Sequence, residues 1–191
     1  ADFNIGLAES VLGRRALDLA DAWAELQAAH VLAGTTFAHD LVFDAVLRTV
    51  PHAIAAHVHG SVADWLRLQG AEAARVAVHF EAAERWPQAA EQFEAASAAA
   101  RVAGRVGEAQ ALIERAVEAW KRAGEAHRLW RAELVAAELQ VANHGPGGVE
   151  PRVERLLAEA ADVSQRAAAL NTLSHVQLFG QRWPELLATT A

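Results

Sequence analysis

The chain has 191 residues, of which 53% are hydrophobic, and a formal net charge of −7 at pH 7. That length and apolar content exclude a disordered chain, and the negative charge offers no footprint for non-specific binding to nucleic acid or anionic lipid. Because the sequence contains no cysteine, disulfides, thiolate nucleophiles and cysteine-based zinc or iron–sulfur sites are excluded as well.

Alanine is abundant and the β-branched residues are scattered, so the sequence favours an all-α fold. No apolar stretch reaches the roughly 20 residues that cross a bilayer, and the first residues lack the pattern of a signal peptide. We therefore expect a cytoplasmic protein. Since the sequence lacks an initial methionine and begins as if inside an element, we interpret it as part of a longer protein.

The first fifty residues predict a small helical module. Helices are expected near 5–12, from about 17 to 32, and from 40 to 50. A short segment, Thr35-Thr36-Phe37, separates the last two helices, and Asp40 is expected to cap the helix that follows. This order resembles a winged-helix module, assigned to residues 1–50 and incomplete at its amino terminus, with Asp2-Phe3 as the tail of its first helix.

A histidine-bearing helix at 52–68 follows Pro51 and forms a connecting segment, assigned to residues 51–70. His52 and His59 would lie two turns apart on one face of this helix. Two histidines one turn apart would indicate a metal site more strongly. We therefore expect partly exposed histidines, with a pH-sensitive contact as the alternative.

From 71 to 191 apolar residues recur at helical intervals, and the glycine and proline signals that mark helix ends repeat. Gly70 to Gly104 and Gly145 to Gly180 each span about the 34 residues of a tetratricopeptide unit. The tripeptide Arg-Trp-Pro occurs at 85–87 and again at 182–184, which is typical of the corner of a helical hairpin because proline suits the first turn of a helix. The glycines expected to end helices in a left-handed conformation are Gly13, Gly34, Gly70, Gly104, Gly124, Gly145 and Gly180.

These features predict a tetratricopeptide-like α-solenoid of helical hairpins over residues 71–191. Whether the helix at 107–123 closes the first hairpin pair or opens the second stays open. The break Gly145-Pro146-Gly147-Gly148 is expected to hold an irregular turn.

The segment 37–46, FAHDLVFDAV, followed by Pro51 and the helix at 52–68, resembles a junction in bacterial STAND-class ATPase regulators. In these maltose-regulator-like and LuxR-type proteins a winged helix follows the nucleotide-binding domain and leads into a helical sensor. Residues from about 71 onward are similar to the divergent tetratricopeptide solenoids of the same family. The resemblance implies a non-catalytic regulatory region of a signalling ATPase or transcriptional regulator.

The resemblance also implies an upstream phosphate-binding loop, yet G-x-x-x-x-G-K-[ST] does not occur in these residues. We therefore expect no ATP and no other cofactor here. The family implies that the solenoid binds a protein or peptide partner, the parent's nucleotide-binding domain, or a small-molecule effector. The polar residues predicted to contact a partner are Arg75, His79, Arg128, Arg131, Gln165, Asn171 and Gln177. A simple solvated role for each of them stays open.

One alternative is a freestanding metal-dependent hydrolase. His39-Asp40 resembles the paired ligands of HD-type phosphohydrolases, which would add a histidine such as His30 and an aspartate such as Asp44 or Asp64. The spacing lacks the rest of that signature, and no catalytic or metal site is predicted.

The other alternative is direct DNA binding by the helix at 17–32. Asp18, Asp21 and Glu25 would repel phosphate, and only Arg14 and Arg15 would favour it. A protein-docking winged helix is therefore favoured over a DNA reader.

Overall fold

The computed structural model describes residues 5–180, which are mostly helical, as the all-α prediction requires. The chain divides into two compact units, Ala1–Arg85 and Trp86–Ala191. The elements are α1 (Ile5–Leu12), α2 (Ala16–Ala28), β1 (Leu32–Ala33), β2 (Thr36–Phe37), α3 (Asp40–Thr49), α4 (His52–Leu68), α5 (Ala73–Ala82), α6 (Trp86–Val102), α7 (Val106–Ala123), α8 (Ala126–His144), α9 (Glu150–Ala158) and α10 (Val163–Phe179).

The boundary between the units lies later than the predicted boundaries at residues 50 and 70. Helix α5, which was expected to begin the repeat region, belongs with the first unit because it packs on α4. A hydrogen-bonded ion pair from Arg85 to Asp64, 2.6 Å long, ties the end of α5 to α4.

The predicted helix at 17–32 ends early, at Ala28. His30 adopts a left-handed conformation with φ of 55°, and the Val31 amide donates to the carbonyl of Leu26. This pattern of hydrogen bonds terminates a helix. The chain then forms a hairpin with a two-residue turn, in which Leu32 lies opposite Phe37. The short segment at 35–37 contributes to its turn and second strand.

Helix α3 begins without the predicted side-chain cap. His39 is the N-cap residue and makes no side-chain capping hydrogen bond, while Asp40 lies one position later, in the first turn. The carboxylate of Asp40 still lies near the positive end of the helix dipole. Its role is therefore electrostatic, which corrects the expectation that Asp40 caps the helix.

Helices α3 and α4 meet at an angle of 113°. Val50 has an extended ψ of 120°, because a residue before proline avoids the helical region. Pro51 is extended as well, with a ψ of 141°. Among the described helices no single one is long and apolar enough to cross a membrane, and only this bent pair reaches that combination of length and composition.

The core of the first unit lies between α4 and α5. Ala63 and Leu66 of α4 are buried, as are Val76 and Phe80 of α5. By contrast, α2 and α3 contain no buried residue, and α1 buries only Ala8. Residues 5–50 thus form three helices in the predicted order without closing a core around them.

The second unit is built around α7, which packs against both α6 and α8. The helix whose pairing the sequence left open therefore has a neighbour on each side. Phe93, Ile113 and Trp120 fill the space between these helices, and small residues such as Ala116 allow close approach. A further core joins α8, α9 and α10 through Trp130, Leu134, Leu156, Ala169, Ala137, Val149, Val153, Leu173 and Val176.

Most of the predicted glycines lie at the ends of helices in the left-handed conformation. Six of the seven have φ between +62° and +85°. Of these, Gly34 lies in the turn between β1 and β2 and not, as was predicted, at the end of a helix. Gly180 ends α10 with a φ of −78°. Pro87 lies in the first turn of α6, as predicted, and residues 146–148 form the expected turn before α9. The second Arg-Trp-Pro tripeptide and Asp2-Phe3 lie outside the described residues.

Candidate ligand-binding groove

A pocket of about 310 Å³ lies between α6, α7 and α8. Helix α6 contributes residues 94, 97, 98 and 101, and α8 contributes residues 128, 131, 135 and 139. Both sets recur at intervals of three and four, so each forms one helix face. The two faces flank Ile113 of the intervening helix α7.

The floor of this pocket is rigid and mostly apolar. Ile113 and Leu139 are buried core residues, and Val135 is partly buried beside them. Ser97 is also buried, and its hydroxyl donates to the Ala109 carbonyl of α7 at 2.8 Å. Because that donor is already used, the floor presents chiefly hydrocarbon to a ligand.

The rim of the pocket is cationic. Three guanidinium groups, from Arg101, Arg128 and Arg131, line it together with one carboxylate, from Glu94. All three arginines are exposed. The lining therefore carries an excess of positive charge on a chain whose net charge is −7.

Arg128 is held in place by its neighbours. Its guanidinium lies 3.5 Å from the Glu91 carboxylate of α6 and 5.1 Å from the centre of the Trp120 ring. The Trp120 Nε1–H in turn donates to Glu94 at 2.9 Å. Stacking and ion pairing together fix the orientation of a guanidinium, so Arg128 is positioned before any ligand arrives.

Arg101 and Arg131 differ from Arg128 in having no such partners. Neither side chain makes a hydrogen bond or an ion pair with any residue between 5 and 180. Their donors are available to an incoming anion without the loss of an existing contact.

A second pocket, of about 360 Å³, adjoins the first along α8. The two share Arg131 and Val135, and the second also includes Trp130, Asp162 and Gln165. We call the two adjoining pockets the α8 groove. Its length along one helix suits an extended or helical segment of another protein.

The predicted contact residues divide into three groups. Arg128 and Arg131 line the α8 groove, and Gln165 reaches its second pocket. Asn171 and Gln177 lie on α10 and line neither pocket. Arg75 and His79 lie on α5, in the other compact unit.

Gln165 and Gln177 are core residues, with only 7% and 5% of their surface exposed. The Gln165 side-chain oxygen accepts from the backbone amide of Ala161 at 2.7 Å. The backbone amide of Gln165 donates to the Asp162 side chain at 2.8 Å. This is a capping arrangement at the start of α10. Their burial is at odds with the predicted exposed contact surface.

Arg101 also lines the pocket, although it is not among the predicted contact residues. Arg101 lies two turns after Glu94, on the face of α6 that contains Ser97. This seven-residue spacing is visible in the sequence, but its meaning depends on which helix α6 faces across α7.

A different cluster joins His59 of α4 to His79 of α5. Their Nδ1 atoms are 2.9 Å apart and their ring centres 5.1 Å apart. Burial lowers the pKa of His79, and the nearby His59 and Arg75 lower it further. An Nδ1 to Nδ1 hydrogen bond needs one donor and one acceptor, so at least one of the two rings must be neutral.

The first unit also contains an open apolar cavity of about 710 Å³ between α1, α2, α3 and the hairpin. Its lining is almost entirely hydrocarbon and aromatic, and Asp40 is its single ionisable side chain. The large side chains that line it are Leu12, Leu19, Trp23, Leu26, Leu32, Phe37, Phe43 and Val46.

Neither alternative function gains a site from this geometry. Within the part of the chain that the structure describes, no three histidine, aspartate or glutamate residues form a group that could hold a metal ion. His30 lies in the turn beyond α2, and Asp64 pairs with Arg85. On α2, Asp18 pairs with Arg15 at 3.4 Å, which offsets one of the two cations available to DNA.

Comparison of the chain with family models, with curated proteins and with solved structures gives no significant match in any of the three.

Proposed function

We propose that this chain is a non-catalytic regulatory and protein-interaction region of a larger bacterial signalling ATPase or transcriptional regulator. The observation that carries the proposal is the α8 groove, a cationic cleft whose rim has two arginines without partners among the described residues. Arginines are enriched at protein interfaces, where their planar donors bind carboxylates in pairs.

The arrangement of α6, α7 and α8 supports a tetratricopeptide-like α-solenoid. Each of these helices packs on the next, and short turns containing Gly104 and Gly124 join them. In such a stack the outer faces of alternate helices flank a cleft over the helix between them. The face of α8 with Arg128 and Arg131 lies in that position.

The order of elements in residues 5–50 supports a winged-helix-like module in a docking role. Two helices, a short hairpin and a third helix follow one another. Leu19, Trp23 and Leu26 of α2 line the apolar cavity rather than a polar surface. The exposed face of α2 contains Asp18, Asp21 and Glu25, where a helix that reads DNA would need cations, so a protein surface is the favoured partner of this module.

The partner of the α8 groove in this proposal is a protein with an acidic segment. This segment belongs either to a separate cytoplasmic protein or to the nucleotide-binding domain of the parent chain. In both cases the groove contributes affinity and the parent contributes the chemistry. Recognition by fixed charges fits a regulator because charge complementarity sets specificity and association rate.

Affinity capture from a lysate of the native host tests the proposal. The bait is the whole chain, compared with Arg131→Glu and with Arg166→Glu. Both substitutions change the net charge equally, but Arg166 is exposed on α10 and lines neither pocket of the groove. We expect proteins retained by the native chain and by Arg166→Glu to be lost from Arg131→Glu.

Two results would contradict the proposal. Equal retention by all three baits would show that the α8 groove is not the contact surface. Turnover of a phosphate ester that chelator abolishes would favour the metal-dependent hydrolase instead.

A further inference from the structure

We propose that the pocket between α6, α7 and α8 binds a small organic anion, a compound with one carboxylate or phosphate group on a short apolar body. The inference rests on the proposed regulatory function, to which it adds the class of the effector and its site. The site is the smaller, Arg101-containing end of the α8 groove.

The charge of the pocket selects an anion. Guanidinium groups repel cations and have no acceptor atoms, so neither a metal ion nor an amine suits this rim. Arg101 enters from the last turn of α6, and Arg128 and Arg131 enter from the first two turns of α8. Donors from two helices thus line one pocket, and charge-assisted hydrogen bonds from guanidinium groups are well suited to a carboxylate or a phosphate.

The three arginines have different tasks. Arg128 is already oriented by Glu91 and by the Trp120 ring, so it provides a fixed positive charge. Arg101 and Arg131 have no partners to give up among residues 5–180. They can close on the anion from opposite sides, and their ordering is the main entropic cost of binding.

The floor of the pocket indicates an apolar body on the ligand. Ile113, Val135 and Leu139 present hydrocarbon below the guanidinium groups. A bare inorganic ion would leave that surface hydrated, whereas a short alkyl chain would cover it. A volume of about 310 Å³ lies at the small end of ligand pockets, which favours a ligand of only a few carbons.

Glu94 limits the number of negative charges that the ligand can have. One of its carboxylate oxygens accepts from Trp120, and the group lines the pocket beside the arginines. A ligand with several negative charges would meet this carboxylate, whereas a ligand with one charged end can place that end toward the arginines. We therefore expect a ligand with a single anionic group and discrimination against polycarboxylates.

Isothermal titration calorimetry of the whole chain tests the inference with four probes. Pentanoate and monobutyl phosphate represent the two sources of the anion, pentanamide is the neutral match of pentanoate, and inorganic phosphate lacks the apolar body. We expect at least one of the two alkyl anions to bind, more tightly than inorganic phosphate, and pentanamide not to bind. The alkyl anion that binds tells a carboxylate effector from a phosphate effector.

Variants of Arg101 and Arg131, whose side chains have no partner among residues 5–180, locate the site. Arg101→Gln and Arg131→Gln should each weaken binding of the alkyl anion by ~10-fold or more, because each removes charge-assisted hydrogen bonds. Arg166→Gln is the matched control and should bind as the native chain does. Circular dichroism confirms that each variant is folded, which we expect because Arg101 and Arg131 are exposed.

Several results would overturn the inference. These are no binding of either alkyl anion by the folded native chain, binding of pentanamide as tight as that of the alkyl anion that binds, or equal binding of that anion by all variants. A chain that loses a captured protein on Arg131→Glu yet binds no alkyl anion would keep the proposed function and lose only this inference.

Discussion

Residues 5–50 and residues 86–180 are both helical and both rich in apolar side chains, but only the second set closes a core. In α6, α7 and α8 the large residues Phe93 and Trp120 are fully enclosed. In α2 and α3 no residue is buried, and the large apolar side chains surround an open cavity of about 710 Å³. An amphipathic helix is stable only when its apolar face meets another face.

The difference follows from the number of neighbours each helix has. Helix α7 has α6 on one side and α8 on the other, and alanines at the contacts allow the helices to approach closely. The helices of residues 5–50 share one cavity that none of them fills. Within this account the second unit is a self-sufficient binding domain, whereas the first fifty residues need a protein surface to cover them.

The largest expected effect comes from a pair of phenylalanines. Phe93→Ala should lower the free energy of unfolding by about 3–5 kcal/mol, because Phe93 is 0% exposed and truncation leaves a cavity. Phe43→Ala should cost less than about 1 kcal/mol, because Phe43 is 41% exposed and lines an open cavity. Urea titration followed by circular dichroism measures both, and equal losses would remove the contrast between the two regions.

A smaller effect is expected from two tryptophans of the second unit. Trp130 Nε1–H donates to the buried Leu156 carbonyl at 2.8 Å, so Trp130→Phe leaves an acceptor without water or a partner and should cost about 1–3 kcal/mol. Trp120→Phe removes the bond to Glu94, whose carboxylate lines the pocket and can be hydrated. We expect Trp120→Phe to lower the free energy of unfolding by about 1 kcal/mol less than Trp130→Phe does. If Trp120→Phe is the more destabilising in urea titration, the pocket does not admit water to Glu94.

The smallest expected effect is a pH dependence confined to the α4–α5 contact. Because the folded-state pKa of His79 lies below its ordinary value of 6.5, the unfolded chain binds more protons near and below that pH. The contribution of neutral His79 to the free energy of unfolding is therefore fully present above pH 6.5 and is lost as the pH falls. The native chain should lose more stability between pH 7.5 and pH 5.5 than His79→Gln does.

His52 is unchanged in both proteins of that comparison. The contact of its Nε2 with Glu84, at 3.1 Å, is present in both, so the difference between the two proteins reports on the His59–His79 pair. Parallel pH profiles in urea would show that the pair does not govern the acid response of this unit.

The elements of the fold could be predicted where local rules decide them. Helix α1 and the helix at 52–68 begin and end where the apolar pattern indicated, and Gly124 ends α7 in the left-handed conformation expected of a capping glycine. His30 and Glu84 take the same left-handed role without being glycine. The early end of α2 could not be foreseen because asparagine and glycine are the usual signals.

The candidate site was only half predictable, because its residues come together through packing. Arg128 and Arg131 were identified as polar residues on one helix face, whereas Arg101 joins them only because α6 and α8 flank α7. Gln165 looked the same in sequence but folds back to accept the Ala161 amide. The contact of His59 with His79 spans twenty residues and has no local signal.

Hydrogen exchange of the whole chain, read by mass spectrometry at neutral pH, tests the central contrast most directly. The account predicts strong protection for the amides of α6, α7 and α8 and for α4 and α5, with rapid exchange for α2, the hairpin and α3, whose contacts bury no side chain. Equal protection of residues 16–49 and 86–144 would contradict it, because residues 16–49 would then close a core without any covering protein.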